Sequence, residues 1–232
     1  MNKLVSVLMT ISALSVAACK SLPPVQPESD KAAALGVQVE LVAPLSLFGG
    51  QYAEKVYLVR VNGGEVKTKA GIISSTWTNG ERTYVFNVEP GEYAIVAAEY
   101  SVTSQGQTST APVGGNATLS VTTGGGTSVY TTFMPRDVVE ASRIKVEAGK
   151  LAFMGAFVVK MSKGFDEADD VQKHYAEILA PGSTTASGVA GFFQTKYSGR
   201  MERKTGQEGR AAFLHKARED FGETRWSSYT QD

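Results

Sequence analysis

Arg82-Thr83-Tyr84-Val85-Phe86-Asn87-Val88-Glu89-Pro90-Gly91-Glu92-Tyr93-Ala94-Ile95-Val96-Ala97-Ala98-Glu99-Tyr100 alternates, breaks and alternates again. Tyr84, Phe86 and Val88 fall at every second position. After Pro90-Gly91, Tyr93, Ile95 and Ala97 alternate with Ala94, Val96 and Ala98. Period-two alternation puts successive side chains on opposite faces of a strand. A Pro-Gly pair supplies a fixed φ followed by a residue free to take positive φ, as a tight turn requires. The stretch therefore reads as two strands of a hairpin, with Gly91 at positive φ. Tyr84, Phe86, Val88, Tyr93 and Ile95 are expected to face one interior. The small alanines on both faces mark the second strand as central and packed from two sides.

The same texture extends both ways. Upstream, Val37, Val39 and Leu41 alternate with Gln38 and Glu40 until Pro44, and Leu45 to Gly50 reads as a loop with apolar anchors. Tyr57, Val59 and Val61 share one face of Lys55 to Val61. Asn62-Gly63-Gly64 then turns the chain, and a strand-like run reaches Trp77 before Thr78-Asn79-Gly80-Glu81 turns it again. Downstream, strand-like pieces fall at Leu119 to Val121, Val129 to Met134, Arg143 to Val146 and Lys150 to Met161. Short strands separated by turns at this spacing argue a sandwich. Tyr100 to Pro135 contains no charged residue. Thr-rich hairpins account for that, since Thr forms strands well without charge. An uncharged edge there would invite pairing with another chain.

Val88-Glu89-Pro90-Gly91-Glu92-Tyr93-Ala94 is echoed by Val146-Glu147-Ala148-Gly149-Lys150-Leu151-Ala152, and more loosely by Val121-Thr122-Thr123-Gly124 before Tyr130. The segments between them do not match, so the echo is a shared hairpin turn and not a repeat. The Pro90-Gly91-Glu92-Tyr93 turn resembles those of transthyretin-like (carboxypeptidase regulatory-like) modules and of β-sandwich lipoproteins. That resemblance implies a non-catalytic binding or structural module. The fold expected is mainly β: an antiparallel β-sandwich, Ig-like or transthyretin-like, over residues 36–162.

Residues 163–232 change character and are expected to form a small helical region. Asp166-Glu167-Ala168-Asp169-Asp170 leads into Val171, Tyr175, Ile178 and Leu179 at helical spacing, and Pro181-Gly182 stops the run. Ser183 to Gly191 reads as a loop. Phe192-Phe193 opens a second candidate helix, broken by Gly199. Gln207 to Phe221 is the third, with Phe213, Leu214, Ala217 and Phe221 inward and Gly222 as its stop. Trp226 and Tyr229 are placed to pin the tail back on the body.

The first residues concern location. Met1-Asn2-Lys3 carries one positive charge, and Leu4 to Val16 is uncharged and mostly apolar, long enough for a secretory leader and too short for a bilayer span. Val16-Ala17-Ala18-Cys19 resembles the lipobox of bacterial lipoproteins, with Val where Leu is usual, and Cys19 is the chain's sole cysteine. The resemblance implies removal of residues 1–18 and acylation of Cys19, so that the membrane is a partner through the lipid. Lys20, where Asp would favour inner-membrane retention in enteric bacteria, implies an outer-membrane location. Residues 19–35, with Pro23, Pro24 and Pro27, read as the lipidated cysteine and a flexible tether.

Without the leader the chain carries 22 Lys and Arg against 23 Asp and Glu. Near-neutrality argues against nucleic acid as a partner. The acidic run at 166–170 lacks the spacing of a calcium loop, and acids in a helix's first turn offset its dipole. His174 and His215 stand in no zinc-ligand spacing, and each reads as a helix-surface residue. The sequence contains neither a phosphate loop nor a Gly-x-Ser-x-Gly elbow. Arg200, Arg203, Lys204 and Arg210 fall in a stretch, 196–226, with eight basic and five acidic residues, which reads as a solvated face. No catalytic residue, metal ligand or cofactor is assigned; lipidation is assigned to Cys19. The expected function is a non-enzymatic binding, adhesion or structural module of the cell envelope, with an envelope protein or glycan as partner. The alternative is a periplasm-facing hydrolase acting on cell-wall or surface glycan.

Overall fold

A computed structural model describes residues 26–44, 50–68, 71–112, 118–165, 169–182, 184 and 196–231. Cys19, the loop at 45–49, Asp166 to Ala168 and Phe192-Phe193 lie outside the described residues. In chain order the elements are β1 (Ala33–Val42), β2 (Gln51–Tyr52), β3 (Lys55–Arg60), β4 (Ile72–Ser74), β5 (Trp77–Asn79), β6 (Arg82–Val88), β7 (Gly91–Ser104), β8 (Gln107–Pro112), β9 (Thr118–Thr123) and β10 (Gly126–Phe133). Then come α1 (Arg136–Ala141), β11 (Ile144–Val146), β12 (Leu151–Ser162), α2 (Asp170–Leu179), β13 (Lys196–Thr205) and α3 (Arg210–Phe221).

The chain is mainly β, as expected, and its principal sheet is a curled mixed half-barrel in the order β4-β3-β7-β10-β13-β12-β1-β6-β5, with β11 on β7 and β2 on β1. The β8–β9 ribbon stands apart, in keeping with Thr-rich hairpins. The all-antiparallel order expected of a sandwich does not hold throughout, because β1 runs parallel to β12 and β10 parallel to β13. The first and last strands in the order are joined in the chain by only Ser75-Thr76. Ser75 N donates to Val56 O on β3 (2.8 Å), and Thr76 N donates to Tyr84 O on β6 (3.0 Å). One short segment thus changes partners at a corner, which forces the sheet to curl. The corner hydroxyls stand in for missing ladder acceptors: Val56 N donates to Ser75 Oγ and Phe86 N to Thr76 Oγ1.

Among the described residues, the two larger of three buried clusters lie on opposite faces of the central strands, the third being Ala97, Phe133 and Ala176. On β1, Ala33, Leu35, Val37, Val39 and Leu41 enter the larger cluster with Leu58, Ile95 and Val159. Ala32 and Ala34 enter the second, with Phe213, Phe221 and Trp226 from the C-terminal part of the chain. The expected single interior for the opening stretch is therefore corrected. Tyr84 and Phe86 lie in the second cluster, and Val85, Val88, Tyr93 and Ile95 in the first. The cause is a bulge at Asn87, whose φ is 58° and which adds a residue opposite β1. One extra residue moves every later side chain to the other face. Gly155 (φ 122°) does the same on β12, placing Leu151 and Phe153 in the second cluster and Phe157, Val159 and Met161 in the first.

Gly91 is a second correction. It opens β7 without positive φ. A Cβ there would sit 2.9 Å from Arg60 Nε, the far end of a flexible side chain that can move aside. Nor do the two look-alike turns form hairpins. β6 and β7 are not neighbours in the sheet, and neither are β11 and β12. Turn chemistry bends the chain but does not choose the next strand's partner. Instead the two segments meet each other, Val146 opposite Gly91 and Ile144 opposite Tyr93.

In 163–232, α2 and α3 fall where helical spacing places them, and Gly222 (φ 56°) caps α3. The helix expected from 192 onward is a strand over its described part. β13 lies between β10 and β12, where Gly199 permits close packing: a Cβ would fall 2.6 Å from Val159 Cγ1. Residues 26–32, expected as tether, are held by the body. Asn87 Oδ1 accepts from Glu28 N, Asn87 Nδ2 donates to Gln26 O, and Arg225 pairs with Asp30. Trp226 and Tyr229 are buried against the second cluster, as the sequence suggests.

Candidate functional site

The residues singled out from sequence do not converge. His174, on α2, is half-buried with Nε2 3.4 Å from Thr68 O and its ring edge-on to Tyr175. His215, on α3, is exposed, and its Nδ1 stands 3.5 Å from Glu219. Neither lines the clefts described below. Arg200 and Arg203 project from β13, while the Lys204 ammonium donates to Ala141 O and sits 5.6 Å from the Phe157 ring centroid. Among the described residues no group of three or more His, Cys, Asp or Glu could hold a metal ion. No described helix is long and apolar enough to cross a membrane.

The described end of the acidic run, Asp169 and Asp170, does what a helix start asks of it. Asp169 caps α2, its Oδ1 accepting from Val171 N (3.1 Å) and Gln172 N (2.9 Å). Its other oxygen accepts from Arg136 N at the head of α1 (2.7 Å). Asp170 takes the Arg136 guanidinium at 2.7 Å and the Lys67 ammonium at 3.0 Å. The hydrogen bond from Arg136, then that from Lys67, holds the Asp170 carboxyl down at about 2.

Where α1, α2 and the ends of β10, β12 and β13 meet, a polar cleft of about 740 Å³ opens. Arg136, Asp137 and Glu140 of α1 form one wall, and Lys163 to Phe165 after β12 form another. Asp169 and Gln172 of α2 and Ser198 to Arg200 of β13 complete it. The Asp169 cap starts α2 with Gln172 turned to the sheet, where Nε2 donates to Phe133 O (3.0 Å) and Gly199 O (2.9 Å). Ser198 on β13 is opposite Phe133 on one side and Ser162 on the other, and the two serine hydroxyls lie 2.7 Å apart. Phe165 is half-buried, with its ring centroid 5.9 Å from that of Phe133. The cleft can bind through many donors and acceptors around one aromatic wall. A second, more apolar cleft of about 540 Å³ lies between β4 and β6 over Ile73, Val85 and Val88. Two of its polar side chains are engaged, Arg60 by Glu89 and Pro90 O and Asn87 by residues 26 and 28.

Sequence reasoning passed over Gln172, Ser162, Ser198 and Phe165. Gln172 offers a faint signal, as a polar residue next to Val171 on the inward face of an amphipathic run. The serines offer none, because they become neighbours only when β13 enters the sheet. A buried ion pair was also missed. Asp220 of α3 accepts from Arg82 Nε (2.6 Å) and Nη2 (3.1 Å), from Tyr84 OH (2.7 Å) and from Asn79 Nδ2 (2.9 Å). Its hydrogen bond raises the Arg82 pKa, and burial, followed by the Asp220 carboxylate, raises that of Tyr84. Four donors converge on one carboxylate, an arrangement that locks α3 to the sheet. No family model, curated protein or solved structure matches the chain.

Proposed function

We propose that this chain is a lipid-anchored lipoprotein of the bacterial cell envelope and acts there as a non-enzymatic binding, adhesion or structural module. In this reading residues 1–18 are removed and Cys19 carries the acyl chains, on the outer rather than the inner membrane. An envelope protein or glycan is the partner. The observation that carries the binding role is the polar cleft between α1, α2 and the strand ends. It presents converging hydrogen-bonding groups on rigid elements, the arrangement that fixes a ligand's orientation. The two arms of the curled sheet are the counterpart of the layers of an Ig-like or transthyretin-like sandwich. Leu58 and Ile95 of one arm and Leu35 and Val39 of the other belong to one cluster, which supports that view. Multiple acyl chains, at about 0.8 kcal/mol per buried CH₂, would hold such a module stably on a membrane.

The test is expression from the native gene, followed by mass spectrometry of the mature N-terminus and crosslinking on intact envelopes. An acylated Cys19, an uncleaved Cys19→Ala precursor and a reproducible crosslinked neighbour are expected. A water-soluble mature protein beginning elsewhere would refute the anchor.

A further inference from the structure

Two buried side-chain atoms among the described residues lack a hydrogen-bond partner, Thr132 Oγ1 and Gln172 Oε1. Gln172 is only 1% exposed and lines the polar cleft. Its amide cannot turn over. Nε2 already donates to Phe133 O and Gly199 O, and the opposite orientation would set an oxygen against two carbonyl oxygens. Oε1 is therefore held as an acceptor, and a buried acceptor without a donor is costly. The atom is buried as the structure stands, so its complement is a donor that reaches it from the cleft once a lining side chain moves aside.

The surrounding charges narrow the class of that donor. Arg136, Lys163 and Arg200 are balanced in the cleft by Asp137, Glu140 and Asp169. The N-terminus of α2, which would otherwise draw an anion, is closed by the Asp169 carboxylate. An anionic ligand thus meets no net positive field. The Ser162–Ser198 pair can both donate and accept, and Phe165 adds an apolar ring wall. Hydroxyls that donate and accept, carried on a ring with an apolar face, are the chemistry of a neutral sugar. The volume of about 740 Å³ is that of a small-molecule site. We infer that the cleft binds one or two residues of a neutral glycan. One sugar hydroxyl donates to Gln172 Oε1, others pair with the two serines and Arg200, and the ring's apolar face packs on Phe165. This rests on the binding-module reading above and names its ligand class.

The test is titration of the isotope-labelled mature chain, followed by amide NMR. The probes are the neutral disaccharides maltose and diacetylchitobiose, with inorganic phosphate and glucuronate as anionic controls. At least one neutral sugar should saturably shift the Gln172 side-chain amide and the backbone amides of Ser198, Gly199 and Arg200, with the anions weaker. Phe165→Ala and, separately, the surface change Arg200→Ala should each weaken that binding about tenfold, with the thermal midpoint checked for both. The inference is overturned if phosphate or glucuronate binds there more tightly than the neutral sugars. Shifts confined to residues outside the cleft would overturn it too, as would no response up to about 10 mM sugar. A crosslinked protein neighbour combined with no sugar response would overturn it while leaving the module reading in place.

Discussion

Asp220 shows how much of this molecule depends on single residues with no local signature. It sits 138 positions from Arg82, on a helix whose sequence gives it no special place. At 3% exposure it takes four hydrogen bonds, and its charge is matched by one guanidinium. Breaking a buried pair from one side leaves the other charge stranded, a loss of about 3–5 kcal/mol. Asp220→Asn is therefore expected to destabilise the chain by about that amount in urea unfolding. The double variant Arg82→Met, Asp220→Leu should lose less, since no charge is left without a partner. A single variant within about 0.5 kcal/mol of the parent would show that the network does not hold α3. Asn87 is a second such residue. Its left-handed backbone and its bonds to residues 26 and 28 redirect β6, yet in sequence it is one polar position in an alternating run.

At the scale of elements, α2 and α3 were legible, α1 was not expected, the helix expected from 192 is a strand over its described part, and strand partners were the least legible of all. The acids before Val171 read as the offset of a helix dipole, and α2 begins there, with Asp169 as its cap. The strand at 196–205 was hidden for a physical reason. Only its first residues are buried, while Arg200 and Glu202 to Lys204 face solvent, so it lacks the alternation that marks a half-buried strand. Gly199 read as a helix breaker because close packing against Val159 cannot be seen without the partner strand. The ion pair between α1 and α2 has a testable pH signature. The Asp170 carboxyl is lowered from 3.8 to about 2, chiefly by Arg136 and then Lys67. A depressed carboxyl stabilises the fold fully above its unfolded pKa, and the contribution is lost as pH falls through the folded one. The stability gap between the parent and Asp170→Asn should thus be constant above about pH 4 and close between about 4 and 2. Thermal midpoints measured across that range decide it, and a gap that stays unchanged down to pH 2 would mean the pair contributes nothing. The sites are exposed, so the effect should also shrink in high salt.

At the scale of the whole molecule, the class was readable and the connectivity was not. Alternation in β1, β3, β6 and β7 announces a β protein. The choice of neighbour for each strand depends on long-range contacts, and a corner of two residues, Ser75-Thr76, decides that the sheet curls. The consequence is clearest for β13. It comes from the last third of the chain and stands between β10 and β12, paired from Thr131 to Phe133 on one side and from Ala156 to Ser162 on the other. The second cluster likewise needs Phe213, Phe221 and Trp226, the last two fully buried, to cover Tyr84, Phe86 and Phe153. A fragment ending at Ser162 would leave β10 and β12 with facing open edges and a row of aromatic rings in water. Open apolar edges of that kind pair with other chains, and truncating a single buried Phe or Trp already costs about 3–5 kcal/mol, a large part of a domain's stability. The fragment spanning residues 26–162 is therefore expected to aggregate or give poorly dispersed amide spectra. Adding residues 163–232 as a separate chain should restore dispersion to the extent that β13 and α3 can dock in trans. A monomeric, cooperatively melting 26–162 fragment would show that the strands close without β13, and that the C-terminal region is an appendage and not part of the wall.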